Sequence, residues 1–125
     1  MFFFCCGFFP DCCLFVFLDG SAYYFDDFMR KVTGFYRLMY GSVNGRPHYV
    51  ARNCGDPDRY GTNCTYIWYS GYGWVVGVGK YIGQTKGVMF TRNTNACPSG
   101  TSKWRYLNAD LEWQDNGNIY IQCAS

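Results

Sequence analysis

From residue 33 onward, short runs of aromatic and β-branched residues alternate with turns rich in Gly, Asn and Pro, and Cys54, Cys64, Cys97 and Cys123 are spaced among them. An amphipathic helix needs apolar residues every three or four positions over several turns, and no stretch after residue 33 keeps that period. A parallel α/β fold needs helices between its strands, and they are missing too. What remains is an all-β domain, a small antiparallel meander or sandwich held by two disulfides.

Turn chemistry sets the expected strands. Residues 34–40 form the first, with Tyr36, Leu38 and Tyr40 on one face and Phe35, Arg37 and Met39 on the other. Asn44-Gly45 tolerates positive φ at both central turn positions and returns the chain into 48–52. The clearest hairpin joins 65–70 to 74–78 through Gly71-Tyr72-Gly73. Further strands are expected at 88–92, 104–107, 111–113 and 119–123. In the last, Ile119, Ile121 and Cys123 share a face, which predicts a buried Cys123.

Residues 1–22 differ in composition. Phe and Cys dominate, and Gly20-Ser21-Ala22 follows the apolar run as a small-x-small triplet. This reads as a signal peptide or hydrophobic targeting segment cleaved after Ala22, so that the mature chain begins near Tyr23. Pro10 and Asp11 interrupt the run and argue against a membrane-spanning helix. A membrane contact is expected only if this segment stays uncleaved. Residues 23–32 read as a connector with a helical turn at 26–29, and residues 33–125 as the disulfide-stapled domain.

With the leader set aside, four cysteines leave the connectivity open. The favoured pairing joins Cys54 to Cys64 across a polar loop, and Cys97 to Cys123 between a loop and the last strand. No two of the four have the close spacing of a zinc knuckle, so no metal is expected, nor any cofactor. Net charge is +2, too weak to point to nucleic acid. Residues 1–22 contain Asp11 and Asp19 but no Lys or Arg. The remainder is therefore mildly basic, which favours anionic glycans or lipid headgroups by long-range attraction.

Little supports catalysis. His48 is the single histidine and has no nucleophile pattern near it. On a strand, Asp110 and Glu112 would share a face, with Asp115 close by, but a solvated edge explains them. Asp56-Pro57-Asp58 and Asp115-Asn116-Gly117-Asn118 are oxygen-rich turns without EF-hand spacing. Aromatic residues make up 22% of the chain, and they carry the better argument. Trp68, Trp74, Trp104 and Trp113 are expected mainly in the core. Tyr66, Tyr69, Tyr72, Tyr81 and Tyr120 cannot all be buried, so some must face solvent beside Arg92, Lys103 or Arg105. Asn44-Gly45-Arg46 matches a cell-surface recognition tripeptide, although turn chemistry explains it as well. The expected contact residues are therefore Tyr72, Tyr69, Tyr81, Arg46 and Arg105, with Tyr72 at the hairpin tip. Asn63-Cys64-Thr65 is a formal glycosylation sequon at Asn63.

Asn44-Gly45-Arg46-Pro47-x-Tyr49, Tyr66-x-Trp68-Tyr69, Trp74-Val75-Val76-Gly77, Ala96-Cys97-Pro98, Trp104-x-Tyr106, Trp113-x-Asp115 and Cys123 follow in that order. Together they resemble a small cysteine-stapled module of secreted and multidomain surface proteins of invertebrates and some protists. The resemblance covers about residues 33–124, and the 54–64 loop looks like an insertion relative to the shortest versions. It implies an extracellular adhesion or recognition module and carries over no catalytic residues. The expectation is thus a secreted, non-enzymatic recognition domain whose partner is a glycan or an extracellular protein. A small secreted hydrolase or toxin-like effector is the alternative.

Overall fold

A computed structural model of the chain describes residues 12–20, 31–54, 64–116 and 118–124. These residues form nine strands: β1 (Phe15–Asp19), β2 (Gly34–Val43), β3 (Arg46–Ala51), β4 (Thr65–Tyr69), β5 (Trp74–Val78), β6 (Met89–Thr91), β7 (Trp104–Leu107), β8 (Trp113–Asn116) and β9 (Tyr120–Cys123). One sheet contains them all, in the order β8-β7-β6-β5-β4-β3-β2-β1-β9. Each described pairing is antiparallel. The all-β antiparallel class expected from the sequence is the observed one.

The order of the strands forces the sheet to curl. β8 and β9 are its two edges, yet residues 117–119 alone separate them in sequence. Laid flat, nine strands would hold these edges about 38 Å apart. The chain from Asn116 to Tyr120 can reach about 14 Å at most. The edges must therefore approach one another and enclose an interior.

Strand alternation fills that interior. Across neighbouring strands the register aligns Leu38, Tyr49, Ile67, Val76, Met89 and Tyr106, and these side chains belong to or pack against one apolar cluster. Trp74 and Trp104 complete it, and each buried indole N–H has an acceptor: Asn95 O at 3.0 Å and Thr101 Oγ1 at 3.1 Å. The Tyr49 hydroxyl donates to Cys13 O at 2.7 Å, and that of Tyr36 to Val32 O.

A second cluster covers the outer face of the middle strands, where Val50, Tyr66, Trp68 and Val75 pack beneath Tyr81 and Ile82. The segment between β5 and β6 crosses over them, opening with a 3-10 turn at Gly79–Tyr81. Its close approach needs glycine: a Cβ on Gly77 would lie 2.9 Å from the Gly87 Cα. Trp68 Nε1 donates to Gln84 O at 2.8 Å and pins the segment down.

Part of the N-terminal apolar run builds the sheet. β1 lies between β2 and β9, and Val16 and Leu18 are wholly buried. Cys12 is joined to Cys97 and Cys13 to Cys123, with Cα separations of 5.5 and 5.7 Å. The expected bond between Cys97 and Cys123 is therefore corrected. The partners of Cys97 and Cys123 lie in the 1–22 segment, outside the four cysteines from which that pairing is drawn. A chain beginning at Tyr23 would lack a strand and two bridges of the sheet seen here. The Cys54 to Cys64 bridge is as expected, with a Cα separation of 5.8 Å. Cys123 is exposed, not buried, because it closes β9 beyond the last inward residue, Ile121. Tyr40 is also exposed, at 77%, since the β2–β3 register shifts between Leu38 and Ser42 and breaks the expected alternation. The expected cleavage point after Ala22, the helical turn at 26–29, Asp56, Asp58 and Asn63 lie outside the described residues. Three bridges among the described residues fit an oxidising compartment. No described helix is long and apolar enough to cross a membrane.

Candidate recognition surface

The register places one cross-strand row on the outer face: Trp68, Val75, Phe90, Arg105 and Asp115 on β4 to β8. Burial falls along it. Trp68 and Val75 are fully covered, Phe90 is half-buried and Arg105 and Asp115 are exposed. The segment between β5 and β6 shields the middle of the sheet and leaves β6, β7 and β8 open. Trp113 stands two residues before Asp115, hence on the same face. It is 41% exposed, unlike the other three tryptophans.

Three depressions join on this face. The first, about 550 Å³, is lined by Phe90, Arg92, Ser102, Lys103, Arg105 and Asp115 among others. The second, about 180 Å³, shares Phe90 and Arg105 with it and adds Thr85 and Trp113. The third, about 400 Å³, shares Thr85 and Trp113 with the second and extends to Tyr81, Lys86 and Val88. Together they form an open groove with an aromatic floor and basic rims. Sites for small ligands commonly span about 300–1,000 Å³.

Local structure fixes several of these groups. Arg105 Nε lies 3.0 Å from Asp115 Oδ1, a cross-strand ion pair that holds the guanidinium over the sheet. Two ammonium groups lie over the Tyr81 ring, Lys80 at 5.5 Å and Lys86 at 5.1 Å from its centroid. Lys103 has φ of 58°, in the left-handed region that side chains adopt at a cost.

Two expected contact residues, Tyr81 and Arg105, thus line the groove. The other three gather near the β4–β5 hairpin. Tyr72 is 74% exposed at its tip. Tyr69 is buried, with the Arg46 guanidinium 4.5 Å above its ring. Arg46 also donates to Thr94 O at 3.2 Å and Asn95 O at 3.4 Å, so its donors bind this chain's own backbone. Sequence reasoning missed Trp113 by assigning it to the core. The available signal was its setting, one aromatic in the otherwise polar strand Trp113-Gln114-Asp115-Asn116.

The groups weighed for catalysis sit on separate elements, His48 on β3, Asp110 and Glu112 between β7 and β8, and Asp115 on β8. His48 stacks beside Tyr66, with ring centroids 6.5 Å apart. Burial holds its imidazole below the ordinary value, against a backbone hydrogen bond with Gly41. Asp110 and Glu112 lie in the β7–β8 turn rather than on a strand, where both backbone N–H groups donate to Asn108 Oδ1. Among the described residues, no group of three or more His, Cys, Asp or Glu side chains is placed to hold a metal ion. Comparison with protein families, curated proteins and solved structures finds no match to this chain.

Proposed function

We propose that this chain is a non-enzymatic extracellular recognition module that holds a carbohydrate chain along the outer face of β6, β7 and β8. The observation that carries the reading is the exposed Trp113 indole beside Phe90, in an open groove whose rims supply hydrogen-bond donors. A sugar ring has an apolar face and a polar perimeter. An aromatic floor suits the first, and Arg105, Asp115, Thr85 and Ser102 suit the second. The groove is open along its length, which favours an extended ligand over an enclosed one. The three bridges support a site of action outside the reducing cytosol.

The test is a glycan array probed with the full chain and with Trp113→Ala. Specific binding by the full chain that is lost in the variant, while the variant stays folded, supports the reading. Equal binding by both proteins would move recognition off this face.

A further inference from the structure

The charges along the groove narrow the ligand class. Arg92, Lys103 and Arg105 line its first depression and Lys86 its third, against Asp115 as the acidic lining residue. All five side chains are exposed. Asp115 is already paired with Arg105, so the uncompensated charge is positive. Phe90 and Trp113 lie between Arg92 and Lys103 at one end and Lys86 at the other. A neutral polysaccharide has no use for cations at both ends of an aromatic floor.

We infer that the groove takes an acidic polysaccharide, a chain of sugars bearing sulfate or carboxylate groups. This rests on the carbohydrate-recognition reading above and specifies its ligand. Sugar rings stack on Phe90 and Trp113, anionic substituents meet Arg92 and Lys103, and the chain leaves past Lys86. The backbone at Lys103 supports the assignment. A residue with φ of 58° would be less strained as glycine or asparagine, yet a long cationic side chain stands there, at the groove's rim. Single-stranded nucleic acid also combines anionic charge with stacking, but a disulfide-stapled domain of small net charge fits an extracellular polyanion better.

Calorimetric titration of the full chain with four probes tests this: a heparin-derived oligosaccharide, its fully desulfated and carboxyl-reduced counterpart, a neutral β-linked glucan and a single-stranded oligonucleotide of similar length. The sulfated oligosaccharide is expected to bind at least about tenfold more tightly than its neutralised counterpart, and to weaken as salt rises. Trp113→Ala and the double variant Arg92→Ser/Lys103→Ser should each lose about tenfold or more of that affinity while remaining folded, the double variant unfolding at the wild-type temperature. Equal binding of the neutral and sulfated chains would overturn the acidic ligand and leave the carbohydrate reading intact. Failure of every glycan to bind would overturn both. Tighter binding of the oligonucleotide, or full affinity in the double variant, would also defeat the inference.

Discussion

Gly87 lies so close to Val75 that a Cβ at position 87 would stand 2.3 Å from Val75 Cγ1. Val76 O would be 2.6 Å away, so backbone as well as side chain resists the substitution. This contact sets the height at which the segment between β5 and β6 crosses the sheet, and that segment forms one wall of the groove. Gly87→Ala should destabilise by about 1–3 kcal/mol, the usual cost of overpacking a filled site. Urea denaturation checks it, and an unchanged midpoint would show that the segment is not packed as described.

The bridges are expected to join Cys12 with Cys97, Cys13 with Cys123 and Cys54 with Cys64. Peptide mapping under non-reducing conditions reads this directly, and a peptide joining Cys97 to Cys123 would contradict it. Replacing Cys13 and Cys123 together should cost roughly 2–4 kcal/mol, because their bond closes a long loop in the unfolded chain.

Much of this architecture was legible because turns punctuate it. The 65–69 and 74–78 strands follow from Gly71 and Gly73, and 104–107 agrees with the structure at both ends. β1 was not legible, for a physical reason. Phe15, Val16, Phe17 and Leu18 are apolar on both faces, so the alternation that marks a half-buried strand is hidden, and the same run carries the composition of a targeting segment. In the folded sheet Val16 and Leu18 point inward, while Phe17 meets Phe35 across the strand pair with ring centroids 4.7 Å apart. The groove was half legible. Arg105 and Tyr81 stand out in the sequence, but Trp113 reads as a core residue because aromatic residues in small domains usually serve there. Nothing in local sequence shows that the 79–88 segment covers Trp68 and stops short of Trp113.

Buried tyrosines make stability depend on alkaline pH. Burial raises the Tyr49 hydroxyl to about 12 and pushes Tyr36 up as well. A raised acid binds its proton more tightly when folded than when unfolded. The stabilisation is therefore fully present below the unfolded value, near 10, and is lost as pH climbs from there through about 12. Denaturation at a series of alkaline pH values should show stability falling by up to about 1.4 kcal/mol per pH unit for each proton involved. Tyr49→Phe should make that fall shallower, and a slope unchanged by the substitution would exclude Tyr49 as a source.

Lys103 offers a separation of stability from binding. Lys103→Gly relieves the left-handed backbone and removes no buried contact, since the side chain is exposed. Its stability should equal or exceed wild type by up to about 1 kcal/mol, the gain from strain relief being offset partly by glycine entropy. Affinity for a sulfated oligosaccharide should fall in the same protein. A destabilised variant with unchanged affinity would give Lys103 a structural role instead.

The most direct measurement maps the contact face residue by residue. Two-dimensional amide and side-chain NMR spectra of the full chain, recorded during titration with a sulfated oligosaccharide, report every perturbed position at once. The account predicts shifts concentrated at Phe90, Arg92, Lys103, Arg105 and the Trp113 indole, with Tyr72 and Arg46 unmoved. Shifts confined to the hairpin around Tyr72 and Arg46, with the Trp113 indole silent, would contradict it.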